Sequence, residues 1–356
     1  MSTPLNDTLR RLLDAPGPSG YESPAASVWR EIAAGFAPDV WSDVHGNSFA
    51  ALSDSGSPTV MLAGHVDEIG LMVHYIDDDG FLFVRGVGGW DPQVLVGQRI
   101  QVLGADGVID GVIGRRAIHL MAAEDRDKAV KLKDLWVDIG AQGGDAARAR
   151  VSVGDVAVIR SDTIDLGEGR IAGRSIDDRA GAAVALEALR RAGEKDAGAR
   201  VVAVATAQEE ISARSGGGAR TSSFELDPQV AIVIDVTHAT DHPNMDKKEH
   251  GDVRLGGGPV LSRGAVINDR VLAGLADAAD RAGIEIQWQA APSTTGTDAD
   301  SIFTSRAGVA TAVVSLPNRY MHSPNQMVDI GDLDAASELI AEYLVSLSPD
   351  DDFTPR

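Results

Sequence analysis

Three observations predict an α/β fold carrying a small all-β insertion. Apolar runs of strand length recur at 60–63, 201–207, 230–234 and 309–316, and each runs into charged or polar residues. Stretches of helical period separate the later runs, which is the pattern of a parallel sheet covered by helices. Between Gly70 and about Asp165 the texture changes to Gly-rich chain with short β-like segments.

The elements follow in order. Leu5, Leu9, Leu12 and Leu13 share one face of a helix over 5–14, and Pro16-Gly17-Pro18-Ser19-Gly20 stops it. Ser23-Pro24 starts a second helix reaching about Gly35, with proline in its first turn. Residues 40–52 read as a hairpin turning at His45-Gly46-Asn47, followed by the strand that ends at His65. In the Gly-rich region, strands are expected at 71–76, 81–84, 99–103, 108–113, 135–139 and 156–159, with turns at Asp79-Gly80 and Asp106-Gly107. Beyond a turn around 127–132, no helix of domain-building length is expected there. From Arg170 onward strands and helices alternate again, with a helix over 178–192 and a last amphipathic helix over 335–347.

His65 precedes the β module, and the other polar strand exits follow it. The module therefore interrupts one α/β domain. The expected division is an α/β domain of 1–67 and 166–347, an inserted β domain of 68–165, and a flexible tail of 348–356.

Composition narrows the class of protein. A 356-residue chain with 44% apolar and 24% charged residues is that of a soluble globular protein. There is no cysteine, hence no disulfide, thiolate metal site or cysteine nucleophile. A net charge of -21 disfavours nucleic acid and anionic membrane as partners. No apolar stretch approaches the roughly 20 residues of a membrane span. Met1-Ser2-Thr3-Pro4 shows no secretory pattern, so a cytoplasmic location is expected.

The strand exits carry the chemistry. In open α/β sheets, ligands bind at the carboxyl ends of strands. Glu209-Glu210 after a buried strand is costly unless cations meet the carboxylates. One of the pair is free to bind metal and the other to move protons. His65 and Asp67, two apart in an extended segment, face the same way, so Asp67 suits the task of orienting the His65 imidazole. Asp177-Asp178 opens a helix. Beside the other groups, Asp177 suits a carboxylate bridging two metals, and that role predicts a strained or cis Asp177–Asp178 bond. Each motif alone is also an ordinary surface or helix-cap feature. What argues for function is that His65, Asp177, Glu209, Glu210, Asp235 and His322 can converge on one rim. His and carboxylate donors without thiols suit catalytic zinc, cobalt or manganese. Gly86–Gly89 and Gly216–Gly218 do not fit a nucleotide-binding loop, and no Gly-x-Ser-x-Gly elbow occurs. His119 and Glu124 read as surface or interface residues.

Five motifs in order resemble the M42 metallopeptidases: Gly64-His65-Val66-Asp67-Glu68-Ile69-Gly70, Ser175-Ile176-Asp177-Asp178-Arg179-Ala180-Gly181, Gln208-Glu209-Glu210, Ile234-Asp235-Val236-Thr237 and Arg319-Tyr320-Met321-His322-Ser323-Pro324. These are the tetrahedral, self-compartmentalising aminopeptidases, some of which are labelled glucanases. The resemblance implies a zinc-peptidase-like, mixed but mostly parallel sheet with helices on both faces, and a PDZ-like inserted domain. It implies two divalent metal ions per subunit, zinc or else cobalt or manganese. His65, Asp177 and Asp235 would hold one, and Asp177, Glu210 and His322 the other. Glu209 would be the general base acting on a bridging water, and Asp67 the partner of His65. It further implies peptide substrates and a homo-oligomer, a dodecamer built from dimers. The rival is a metal-dependent deacylase of N-acyl amino acids, for which Arg319 or Arg263 would hold a carboxylate. The segment 211–217 departs from the family pattern after the Glu pair.

Overall fold

A computed structural model describes residues 4–212 and 215–355. The sequence readings that fall on Met1, Ser2, Thr3, Ala213, Arg214 and Arg356 lie outside the described residues.

The strands are β1 (Asp39–Ser42), β2 (Ser48–Ala51), β3 (Thr59–His65), β4 (Gly70–Ile76), β5 (Leu82–Val87), β6 (Arg99–Gly104), β7 (Gly107–Gly114), β8 (Trp136–Asp138), β9 (Val156–Ile159), β10 (Ile164–Gly167), β11 (Arg170–Gly173), β12 (Arg200–Thr206), β13 (Val230–His238), β14 (Val260–Gly264), β15 (Gln287–Ala291), β16 (Ala310–Asn318) and β17 (Gln326–Asp329). The helices are α1 (Pro4–Asp14), α2 (Ser23–Ala34), α3 (Gly144–Arg148), α4 (Ile176–Glu194), α5 (Gly217–Leu226), α6 (Lys247–His250), α7 (Asp269–Ala282), α8 (Ala299–Ile302) and α9 (Ile330–Ser346).

The main sheet runs β1-β2-β12-β3-β13-β16-β14-β15. Its centre, β12-β3-β13-β16, is parallel throughout. The hairpin β1–β2 adds antiparallel to β12, and β14 pairs antiparallel with β16. The sheet is therefore mixed and mostly parallel at its core. Helices cover both faces. One core packs α1, α2, α4, α7 and α9 against it, and a smaller one packs α5 and α8 on the opposite side. Leu5, Leu9, Leu12 and Leu13 of α1 are all buried, each contributing about 1.5–3 kcal/mol.

Helix α4 is buried along nearly its whole length, which its run of alanines and glycines permits. Gly64 and Gly181 explain how close it comes to the sheet. A Cβ on Gly64 would lie 2.5 Å from Ala182 N, and one on Gly181 would lie 2.5 Å from Ile234 O. Two glycines thus let the start of α4 rest directly on β3 and β13.

Between β3 and β10, strands β4-β5-β8-β7-β6-β9 close into an antiparallel barrel with its own apolar interior. Strands β10, β11 and β17 form a separate small antiparallel sheet.

The inserted region contains the short helix α3 and, among its described residues, no helix of domain-building length, as expected. Two details differ from the sequence expectation. Helix α9 begins at Ile330 rather than near 335, because the Asp329 side chain accepts from Gly331 N and caps it. The tail expected to be flexible is held at Phe353, which packs on the core and whose carbonyl accepts from Asn268 Nδ2 at 2.9 Å.

Candidate active site

The four central strands deliver their polar exits to one rim. Thr206 of β12 pairs in register with His65 of β3. Val233 pairs with Ala63, so Asp235 lies level with His65 along β13. The chain leaving β16 reverses through Tyr320 and His322, both with positive φ, and turns His322 back toward the sheet. The peptide bond between Asp177 and Asp178 is cis, as expected, and regular helix begins only after it.

All seven residues singled out from the sequence come together. His65 Nε2 lies 3.1 Å from Asp177 Oδ1, and His322 Nε2 lies 3.3 Å from Asp177 Oδ2. One carboxylate thus offers one oxygen to each imidazole. His322 Nε2 is also 3.4 Å from Glu210 Oε2, and His65 Nε2 is 3.9 Å from Glu209 Oε2. Donor atoms of His65, Asp177 and Asp235 fall within 4.8 Å of one another, as do those of Asp177, Glu210 and His322.

The donor chemistry fits divalent cations. His65 Nδ1 faces the carboxylate of Asp67 at 3.4 Å and its carbonyl at 3.2 Å, and His322 Nδ1 lies 2.9 Å from the Gly89 carbonyl. Acceptors on that side assign the N–H to Nδ1 in both rings, leaving Nε2 to face carboxylate oxygens. A lone pair aimed at a carboxylate needs a positive centre between them. Donors about 2.1 Å from a tetrahedral ion stand about 3.4 Å apart, close to the separations found here. Without such an ion the rings must protonate. The Asp177 and Asp67 carboxylates hold His65 well above its usual value against the opposing effect of burial, and Asp177 likewise raises His322.

The carboxylates are equally out of balance. Burial, with the neighbouring acids, pushes Asp178, Glu210 and Asp235 far above the usual range. Burial takes Glu209 to about 9, with His65 opposing and Asp235, Asp298 and Asp67 adding. Asp177 is the exception: burial disfavours its charge, but the two imidazoles outweigh that and hold it low. So many buried acids around two histidines form a site short of positive charge.

A set of supporting groups fixes this geometry. Asp67 is fully buried, and its two oxygens accept from Glu209 N and Glu210 N, each at 3.1 Å. It therefore holds the Glu pair as well as the ring of His65. Asp178 accepts from His65 N and Gly181 N, tying β3 to α4. Gln326 Oε1 accepts from Asp177 N at 2.6 Å. Glu22 Oε1 accepts from Gln208 N at 3.1 Å, setting the turn before Glu209. Behind the site, Glu68 pairs with Arg174 at 2.5 Å and with Arg179 at 3.0 Å, and Arg179 also donates to the Leu12 and Ala15 carbonyls.

Sequence reasoning did not assign roles to Gln326, Glu22, Gly89 or Asp298. Gly89 contributes only a carbonyl, for which no residue type is diagnostic. Asp298 follows a polar loop rather than an apolar run, so the strand-exit signal does not mark it. His119 and Glu124 are exposed in short turns of the inserted region, outside both donor clusters. Arg319 gives Nε and Nη2 to Asp241, both at 2.7 Å, and Arg263 stacks on Trp288 at 4.2 Å from the ring centroid.

The chain resembles known proteins over nearly its whole length. The family model described as M42 glutamyl aminopeptidase matches residues 46–339. The lysyl aminopeptidase of Pyrococcus furiosus is 37% identical over 352 residues, covering 98% of this chain and 99% of that protein. The TET aminopeptidase of a marine-sediment Thaumarchaeota archaeon superposes with a TM-score of 0.91 at 32% identity, over 96% of each chain. The TET1 peptidase of Pyrococcus horikoshii, whose structure is described as able to assemble into a tetrahedron or a large octahedral shell, gives a TM-score of 0.83 at 30% identity, over 96% of this chain and 100% of that one. The chain belongs to the M42 aminopeptidase family and is a peptide-bond hydrolase.

Proposed function

We propose that this chain is a dinuclear metal-dependent aminopeptidase that removes N-terminal residues from peptides. The observation that carries the reading is the split carboxylate of Asp177, one oxygen facing His65 and the other His322. In this reading His65, Asp177 and Asp235 hold one cation, and Asp177, Glu210 and His322 hold the other. Two divalent ions, zinc or else cobalt or manganese, would supply Lewis acidity for the scissile carbonyl and bring the pKa of water toward about 7.

The protein's own groups do the rest. Glu209 reaches within 3.9 Å of His65 Nε2 and keeps about a fifth of its side chain exposed, so it can meet both the site and an incoming peptide. It takes the proton of the attacking water and hands it to the departing amine. Asp67 holds the Glu209 backbone and the His65 ring together, so base and ligand stay in register. Glu209→Gln keeps the shape and loses the base. Turnover of aminoacyl p-nitroanilides should fall by at least about a hundredfold while metal content is unchanged. Near-normal turnover in that variant would contradict the assignment.

The deacylase alternative needs a free guanidinium for a substrate carboxylate. Arg319 is engaged by Asp241, which counts against its serving that role, whereas Arg263 stacks on Trp288 with its in-plane donors still available. N-acyl amino acids tested beside unblocked aminoacyl substrates separate the two.

The inserted barrel, PDZ-like in this reading, is the module through which subunits associate. The shells described for the Pyrococcus horikoshii peptidase make a closed homo-oligomer, a dodecamer built from dimers, the expected form. No helix among the described residues is long and apolar enough to cross a membrane, and a cytoplasmic location belongs to the same proposal.

A further inference from the structure

Asp298 is a buried carboxylate that none of the roles above uses. It is 5% exposed and sits just before α8. Its Oδ2 accepts the Thr206 hydroxyl at 2.5 Å. Its Oδ1 has no hydrogen bond among the described residues, and no Lys, Arg or His side chain among them pairs with it. A carboxylate buried this deeply without a cation is costly, so a positive partner is missing.

Strand alternation shows which side of the sheet Asp298 lies against. Met61 and Ala63 of β3, Val202 and Val204 of β12, and Ala231 and Val233 of β13 all point into the core beneath α5 and α8. Residues two apart share a face, so His65, Thr206 and Asp235 project to that side as well. Asp298 comes down on them from the loop ahead of α8, anchored by Thr206, whose register partner is His65. Thr206 stands level with His65 at the strand exits, so Asp298 lies on the rim that carries the donor clusters.

Asp298 belongs to neither donor cluster of the two proposed cations, which leaves its charge for something that arrives with the substrate. We infer that Asp298 receives a primary ammonium group of the substrate beside Glu209. The inference rests on the aminopeptidase reading. The ammonium is either the free α-amine, common to every substrate, or the side-chain amine of an N-terminal lysine. Either gives an unblocked peptide an affinity that a blocked or desamino ligand lacks. Asp298 would thus be a substrate-binding residue, supplying a charged hydrogen bond rather than a proton.

The test compares Asp298→Asn and Asp298→Glu with the wild type, each loaded with zinc. Asparagine keeps an oxygen for Thr206 and removes the charge. Kinetics with leucine and lysine p-nitroanilides are paired with calorimetric binding of leucine hydroxamate and its desamino counterpart, isocaprohydroxamic acid. The expected result for Asp298→Asn is a roughly ten- to hundredfold rise in KM with kcat changed less than about threefold. If the α-amine is the partner, both substrates weaken together, and the preference for leucine hydroxamate over its desamino form collapses. If the side-chain amine is the partner, only the lysine substrate weakens. Asp298→Glu should recover part of the loss. The inference is overturned if KM and the hydroxamate preference are unmoved, if kcat alone falls, or if zinc is lost. Wild-type turnover that disappears in Glu209→Gln establishes the aminopeptidase reading separately, so each idea can fail without the other.

Discussion

Gly64→Ala tests the claim that close packing of α4 on β3 builds the site. The added Cβ would lie 2.5 Å from both Ala182 N and Gly181 C and 2.9 Å from Gly181 O. All three atoms are backbone, so no side chain can swing away, and the start of α4 must move outward by about 1 Å to restore ordinary contact. Overpacking of this kind costs about 1–3 kcal/mol. With an unfolding entropy of about 2.1 cal/mol/K per residue, that corresponds to a fall in Tm of about 1–4 °C for a chain of this length. Activity should suffer far more. The displaced segment carries Asp177, 3.1 Å from His65 Nε2, and Asp178, which binds His65 N. A misplacement of about 1 Å at a reacting centre costs on the order of a hundredfold in rate. The assays are calorimetric melting at fixed protein concentration and kcat on an aminoacyl p-nitroanilide. Gly198→Ala is the control, because its Cβ meets nothing within 4 Å and its φ is ordinary. It should be neutral or stabilising by up to about 1 kcal/mol. Unchanged Tm and kcat in Gly64→Ala would refute the packing argument.

Other expectations follow from the buried charges. Glu68→Gln leaves Arg174 and the fully buried Arg179 short of their shared partner, and should cost about 3–5 kcal/mol, read as a lower Tm. Asp67→Ala removes the acceptor for Glu209 N, Glu210 N and the His65 ring, and should cut kcat more than about tenfold while weakening zinc binding by about 10–100-fold, measured by competition with a chelating dye. On α4, burial disfavours the charge of Glu187, but Arg190 and Arg191 outweigh it and hold its carboxyl below its ordinary value of 4.5. A depressed folded pKa means stability that is present above pH 4.5 and lost as pH falls through the folded value. The difference in Tm between wild type and Glu187→Gln should therefore shrink as pH is lowered from 6 to 3, and a constant difference would count against this pairing.

Much of the site was legible because chemistry sits where the pattern changes. An apolar run such as 201–207 reads as a buried strand, and Glu209-Glu210 at its end is costly there unless cations meet it. Asp235 and His322 gained their weight from converging with the rest. Asp177 needed the company of the others, since an acid at a helix start is usually a cap. The groups that escaped notice act through long-range contact. Gln326 reaches Asp177 N across 149 residues, and Arg174 reaches Glu68 across 106. Neither spacing leaves a local signature. In the inserted region, strand positions followed from alternation and turn residues. Closure into a barrel depends on β4 pairing with β9, which periodicity does not encode. The end of the chain was misjudged because acids and a proline outnumber its one anchoring aromatic, Phe353.

The central claim is that one aspartate is shared between two ions. Zinc bound per chain, measured by plasma mass spectrometry after equilibrium dialysis of the metal-stripped protein, tests it most directly. The wild type should hold about two equivalents, His65→Ala and His322→Ala about one each, and Asp177→Ala fewer than one. A wild type that binds none, or an Asp177→Ala variant that retains both, would contradict the account.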